Sequence, residues 1–363
     1  MITPSEFKHT YRTRELQVAL MDALSDAVVA VDNAGQIIFK NERFDEIFLE
    51  QKNNADLPCL FSETPTVMEA FTLGLRGESS SVKSFAHGNP QKGAVRYYSL
   101  SISPFRSESG HTEGAIGIFH DVTELKKSEQ IRIDFVANVS HELRTPLTAI
   151  KGYADTVLHD LDQNLPVERS FVETIARNAN RLMNLISDLL DLSLLDAEAD
   201  HLEKCEVNTE EACRRVQRQL SGKVALKGQK LTFECRTPIV HADPARLDQV
   251  LINLCDNAHK YAPAGGHIHI SWTPTDDGGA LLAVQDNGPG IAAEHHGRLF
   301  ERFYRIDKAR SRDMGGTGLG LAIVKHIMQR HGGQVWIESV LGHGATLLCR
   351  FPPCFLANNT TSR

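Results

Sequence analysis

Three groups of residues in this 363-residue chain have the types and spacing to do chemistry. The first is Ser140-His141-Glu142-Leu143-Arg144-Thr145-Pro146. Apolar residues fall at Phe135, Val139, Leu143, Leu147, Ile150, Ala154, Val157 and Leu161, the steps of an amphipathic helix. His141 is two residues from both Val139 and Leu143, about 200° round that helix, so its ring should face water while the stripe packs. Arg144 and Thr145 share its face, and Pro146 should bend the helix. An exposed imidazole beside an acid, with a hydroxyl one turn on, is a reactive platform in which Glu142 can accept or orient a proton while His141 attacks. The plainer alternative is a surface histidine on an ordinary bundle helix.

The second group lies on a helix expected over 243–261. Leu247, Val250, Leu251, Leu254 and Ala258 form its apolar face, and Asn253, Asn257 and Lys260 a polar stripe about 100° away. Two amides one turn apart beside an ammonium suit a phosphate-bearing ligand, and an amide oxygen suits hard Mg²⁺. The third group is glycine-rich. Val284-Gln285-Asp286-Asn287-Gly288-Pro289-Gly290-Ile291 ends a strand in a turn that a ring or backbone can approach closely, and Asp286 can accept from an amino donor. Gly315-Gly316-Thr317-Gly318-Leu319-Gly320-Leu321 leads into a helix whose N–H groups can face phosphate. Either stretch alone reads equally well as a turn with a helix cap.

Composition bounds the classes these groups can serve. With 41% hydrophobic and 23% charged residues and a formal net charge of -7, the chain reads as globular. The acidic balance argues against nucleic acid and against anionic membrane as partners. No apolar run approaches the roughly 18–20 residues that span a bilayer, and the N-terminus has no signal-peptide core. The expectation is a cytoplasmic protein, brought to a membrane by partners if at all, or the soluble part of a membrane sensor. Seven cysteines without a CxxC read as reduced thiols and no zinc site. His267, His269, His295 and His296 lack acids or cysteines at ligand spacing and are expected to be exposed surface.

Helices and strands to hold these groups can be read along the chain. A short amphipathic helix is expected within residues 5–26, then two strands around the turn Asp32-Asn33-Ala34-Gly35. Helical material over 41–49 and 67–75 precedes strands at 95–102 and 114–120. Residues 125–133 are polar without Gly or Pro, so a helix should run continuously into the His141 segment. Asp162-Gln163-Asn164-Leu165-Pro166 forms a turn, with Pro166 suited to start the next helix. Phe171, Ile175, Asn178 or Ala179, Leu182, Leu185 or Ile186, Leu189, Leu192 and Leu195 then make a heptad-like stripe. Two such helices cannot bury their stripes as an isolated hairpin, which predicts a homodimeric four-helix bundle through residues of about 125–197. A polar linker over 196–206, a helix, a strand at 230–235 and strands at 267–273, 280–286, 335–339 and 346–351 complete a sheet layered on helices. Residues 352–363 look frayed.

On these residues the chain resembles the sensor histidine kinases of two-component systems. His-Glu-Leu-Arg-Thr-Pro at 141–146 is similar to their phospho-acceptor box. Asn253 to Tyr261, Asp286 to Gly290, Leu299-Phe300-Glu301-Arg302-Phe303-Tyr304-Arg305 and Gly316 to Gly320 resemble, in that order, the N, G1, F and G2 boxes of the GHKL ATP-binding fold. The hairpin, Asn41-Glu42-Arg43-Phe44 and the exit Asp121-Val122-Thr123 resemble a PAS sensor. The implied fold class is multidomain α+β: a PAS-like sensor over 1–124, an antiparallel helical hairpin forming a dimeric four-helix bundle over 125–200, and a GHKL (Bergerat) α/β sandwich over 201–352, with a tail at 353–363.

The resemblance implies ATP-dependent phosphorylation of His141, then transfer to an aspartate of a cognate response regulator. Asn257 would ligate Mg²⁺, Asn253 support the site, Lys260 and Arg305 meet phosphate, and Tyr261 lie along adenine. Asp286 would accept from the adenine amino group, with Gly288 and Gly290 giving room. Gly316, Thr317, Gly318, Leu319 and Gly320 would border phosphate, and 305–315 would be a mobile lid. Glu142 and Thr145 match a pattern for dephosphorylating the partner, with Thr145 orienting water. Residues 134–153 most resemble phosphate-regulon sensors, which suggests phosphate-starvation signalling. The sensor lacks the Asn-Cys-Arg-Phe-Leu run of flavin light sensors, haem at His87 or His120 is not expected, and its ligand is left open. The rivals are another cytoplasmic PAS-sensing histidine kinase, a GHKL ATPase of another class, and a catalytically dead dimeric scaffold.

Overall fold

The computed structural model describes residues 21, 23–49, 57–62, 64–88, 95–196, 202–307 and 316–353. The helix expected within 5–26, most of the lid and the C-terminal tail fall largely or wholly outside them. The chain forms two compact units, Met1–Asp134 and Phe135–Arg363.

In the first unit β1 (Ala27–Asp32), β2 (Ile37–Lys40), β3 (Ser80–His87), β4 (Arg96–Arg106) and β5 (Thr112–Asp121) form an antiparallel sheet of order β2-β1-β5-β4-β3. Asp32 Oδ1 accepts from the Ala34 and Gln36 N–H groups at 2.9 Å each, which builds the expected hairpin turn. Helices α1 (Glu42–Phe44), α2 (Leu57–Leu60) and α3 (Pro65–Leu75) belong to the same unit. Its core is aromatic: the Phe119 ring lies 4.8 Å from Phe48, 5.5 Å from Phe61 and 5.7 Å from Phe44. Buried Asn41 is fully satisfied, accepting from the Val28 and Phe44 N–H groups and donating to the Met21 and Asp26 carbonyls. β3 had no sequence signal, because its Ser- and Lys-bearing run buries only Phe85.

Helix α4 (Thr123–Asp162) is continuous over 40 residues, as the polar stretch at 125–133 predicts, and runs through Pro146. It begins where the Thr123 N–H donates to Asp121 Oδ1 at 2.9 Å. Helix α5 (Arg169–Asp196) returns antiparallel in sequence order. Pro166 lies three residues before α5 and does not start it; instead Asn164, with φ of 53°, turns the chain.

The rest of the second unit is a sheet of order β11-β12-β10-β9-β7 backed by helices, with a small β6-β8 pair. Its elements are β6 (Cys205–Asn208), α6 (Thr209–Leu226), β7 (Lys230–Cys235), β8 (Ile239–Ala242), α7 (Pro244–Tyr261), β9 (His267–Pro274), β10 (Ala280–Asp286), α8 (Ala293–His296), α9 (Gly320–Arg330), β11 (Gln334–Ser339) and β12 (Ala345–Phe351). Part of the expected linker is therefore strand β6, whose four residues are too short to show a period. Ile268, Ile270 and Trp272 of β9 and Ala280, Leu282 and Val284 of β10 alternate inward against α7 and α9. Leu185, Leu192 and Leu195 of α5 are buried in that same core, so the hairpin and the sheet pack as one body. The stripe of α4 departs from expectation: Pro146 is buried, whereas Leu147 and Leu161 are 58% and 56% exposed.

Candidate functional site

Helix α7 is anchored at its start. Asp243 caps it by accepting from the Arg246 N–H at 3.0 Å, and Pro244 occupies the first turn. With Leu247, Val250, Leu251, Leu254 and Ala258 buried, Asn253, Asn257 and Lys260 are turned to a cavity of about 450 Å³. That is within the roughly 300–1,000 Å³ of small-molecule sites. The cavity gathers Asn253, Asn257, Lys260, Tyr261, Asp286, Gly290, Arg305, Gly316, Thr317, Gly318 and Gly320, which are dispersed over some seventy residues of sequence.

Each glycine-rich turn has a packing reason. A Cβ on Gly288 would lie 2.7 Å from Asp286 Oδ1, which accepts the Gly288 N–H at the same distance. Gly290 has φ of 70°, and a Cβ there would lie 2.0 Å from the Val340 carbonyl oxygen. Gly318 packs against the backbone of Phe303, whose N–H donates to the Gly318 carbonyl at 2.9 Å. Phe303 itself takes a left-handed φ of 63°. Leu319 is fully buried in the core, so only its backbone can serve a ligand.

Two carboxylates at the cavity sit in opposite surroundings. Burial raises the Asp286 carboxyl above its ordinary range, opposed by the Gly288 and Ala345 backbone hydrogen bonds. Lys260 is bound to Asp256 at 2.7 Å, and Lys223 of α6 to the same carboxylate at 2.8 Å. Burial alone would raise Asp256, but the two ammoniums outweigh it and hold the carboxyl low. Asn257 lines the cavity one turn beyond Asn253. Its oxygen and the neighbouring phosphate-sized space fit a hard cation carried by a nucleotide, and Ile252, Ile291, Ile337 and Leu347 supply apolar wall for a base.

His141 is exposed, as expected, with Arg144 and Thr145 on the same face. The Thr145 hydroxyl donates to the His141 carbonyl at 3.2 Å. Glu142 is not directed at the imidazole: its Oε2 accepts from Arg181 Nη2 at 2.8 Å and lies 3.6 Å from Arg305 Nη2. Neighbouring residues on a helix do not face each other, which explains the separation. Arg305, the first residue of the expected lid, also donates to the carbonyl of Gly316, the residue just after it.

Sequence reasoning missed the wall formed by α5. Asn184, Ser187 and Asp188 line the cavity, and Asp188 accepts from the Thr317 hydroxyl at 2.6 Å. They lie beside the leucine stripe with no spacing of their own. It also missed Lys223 and Arg181. His269, His295 and His296 correct the expectation of exposed surface: they are half-buried, with His269 against the Thr232 hydroxyl, His295 against the Tyr304 hydroxyl and His296 on the Ile291 carbonyl. His267 is exposed.

Three family models match the chain: the PAS fold over residues 21–127, the His Kinase A (phospho-acceptor) domain over 131–198, and the histidine kinase-, DNA gyrase B- and HSP90-like ATPase over 242–354. Sensor histidine kinase WalK of Bacillus subtilis is 32% identical over 335 residues, 91% of this chain and 54% of that protein. A Staphylococcus aureus sensor protein kinase WalK is 31% identical over 336 residues, 91% of this chain and 79% of that protein. Phosphate regulon sensor protein PhoR of Pseudomonas aeruginosa is 39% identical over 241 residues, 66% of this chain and 54% of that protein. The chain thus spans about half the length of several curated relatives it matches. Histidine kinase ThkA, solved in complex with response regulator protein TrrA, superposes with a TM-score of 0.50 at 25% identity, covering 93% of this chain and 98% of that one.

Proposed function

Because the chain belongs to the sensor histidine kinases, we propose that it phosphorylates His141 from magnesium ATP and passes the phosphoryl group to an aspartate of a cognate response regulator. The observation that carries this reading is the cavity in which the N-box amides, the Asp286 turn and the glycine-rich loop converge, within one compact unit with an exposed His141. Asp286 and the apolar wall accept adenine, with Tyr261 along it. Asn253, Lys260, Arg305 and the backbone of 316–320 hold the phosphates, and Asn257 holds magnesium. Magnesium would neutralise charge on the phosphates.

His141 attacks the γ-phosphorus with one ring nitrogen, the bond to the bridging oxygen of ADP breaks, and the other nitrogen gives up its proton toward Glu142. His141 is not part of the cavity lining, so the two must approach each other for transfer. In the reverse role Thr145 orients water for removal of phosphate from the regulator. Leu147, Leu158, Met183, Ile186 and Leu190 leave a second apolar face exposed along the hairpin, which suits a homodimer.

No described helix is long and apolar enough to cross a membrane; we place these domains in the cytoplasm. The 39% identity to PhoR favours phosphate-starvation signalling. A second reading, a kinase of another pathway, is favoured by the WalK alignments, which extend through the PAS unit. The function is tested by incubating the chain with radiolabelled magnesium ATP. Acid-labile, base-stable label should appear, vanish in His141→Gln with nucleotide binding kept, and vanish in Asn257→Ala with binding lost. Label retained in His141→Gln overturns the assignment, and phosphotransfer profiling across the host's regulators decides the pathway.

A further inference from the structure

Among the described residues, Arg305 is the one cavity-lining side chain that also reaches Glu142, the residue next to His141. Its side chain is only 6% exposed, so water screens its charge weakly, and one nitrogen serves both the Gly316 carbonyl and the Glu142 carboxylate. Arg181, on α5, binds the same Glu142 oxygen at 2.8 Å and is not part of the cavity lining. A guanidinium fork donates to carboxylate and to phosphate in the same planar geometry, so the two anions are alternative partners for Arg305.

From this geometry we propose that Arg305 is exchanged between Glu142 and the nucleotide's phosphates, and that Arg181 is a positioning residue which holds Glu142 through the exchange. The inference rests on the kinase reading above and adds to it a coupling between nucleotide occupancy and the base beside His141. While Arg305 lies on Glu142, it and Arg181 share the carboxylate and keep it turned from the imidazole. When Arg305 turns to phosphate, Glu142 retains a single guanidinium and regains freedom to face His141. The coupling is reciprocal: whatever strengthens the grip of Glu142 on Arg305 weakens nucleotide binding by the fraction of time Arg305 is withheld.

The test is a set of affinities for the magnesium complex of β,γ-imido-ATP, measured calorimetrically on the whole chain. Glu142→Gln should tighten binding about three- to tenfold by releasing Arg305. In an Arg305→Gln background, itself weakened, the same change should do nothing. Arg181→Gln should weaken binding several-fold although residue 181 does not line the cavity, because Glu142 then falls wholly to Arg305. Arg181→Lys should restore part of the loss, and Glu142→Gln should abolish the effect of Arg181→Gln. Equal tightening by Glu142→Gln with and without Arg305 overturns the exchange, as does a loss from Arg181→Gln that persists without Glu142. A wild-type chain that binds the nucleotide and labels His141, yet shows no change in Glu142→Gln, overturns the exchange alone. One that binds no nucleotide overturns the kinase reading as well.

Discussion

Thr317 of the glycine-rich loop donates a 2.6 Å hydrogen bond to Asp188 of α5, across 129 positions of sequence. The carboxyl is raised above its ordinary range by burial, which the Thr317 bond opposes. A raised carboxyl binds more protons folded than unfolded, so its contribution is full at low pH and is lost as pH rises through the folded value. Asp188→Asn should therefore gain melting temperature over wild type, and the gain should widen from pH 4 to pH 7. Thr317→Val should cost about 1–3 kcal/mol, because the acid is left without its donor. Thermal melts across that range check both.

His331 is buried and held neutral: its Nε2 accepts from the Asp243 N–H at 3.1 Å and its Nδ1–H donates to the Ile327 carbonyl at 2.8 Å. Burial is the main cause of its lowered pKa. The unfolded chain thus takes up a proton first as pH falls, and stability should drop below about pH 6.5, the unperturbed value. His331→Gln should flatten that limb in urea titrations from pH 5 to 8, and His331→Ala should cost about 2 kcal/mol throughout.

Gly290 has no room for a side chain, since a Cβ would overlap the Val340 carbonyl at a φ of 70°. Gly290→Ala should cost about 2 kcal/mol or more and displace the turn that carries Asp286. Nucleotide affinity and urea midpoint should fall together. Gly297, with open space around it, should accept alanine with little change in either.

Helix α5 presents two apolar faces. Leu192, 1% exposed, is part of the core of the second unit, while Ile186 and Leu190 are 45% and 61% exposed. Leu192→Ala should cost about 2–5 kcal/mol by leaving a cavity. If that exposed face pairs two copies as proposed, Ile186→Glu or Leu190→Glu should instead leave single copies at nearly unchanged monomer stability. Light scattering separates the two outcomes from a urea melt.

The helix under His141, its exposure, the polar stripe of α7 and the glycine turns are legible in the amino-acid order, because each is a local period or a backbone demand carried by adjacent residues. Asn253, Asn257 and Lys260 share one side of α7 because a 3.6-residue period dictates which side chains share a face, whereas the arrival of Asp286 and Gly290 at the same cavity is a matter of tertiary packing. It took the packed fold to bring Asp188 to Thr317, to set Lys223 beside Lys260 on Asp256, and to turn Glu142 to two arginines rather than to its neighbour His141. Those contacts join side chains 33 to 163 positions apart or depend on which face of α5 packs inward. A leucine-rich helix with two apolar faces does not reveal that choice, because either face alone satisfies its period.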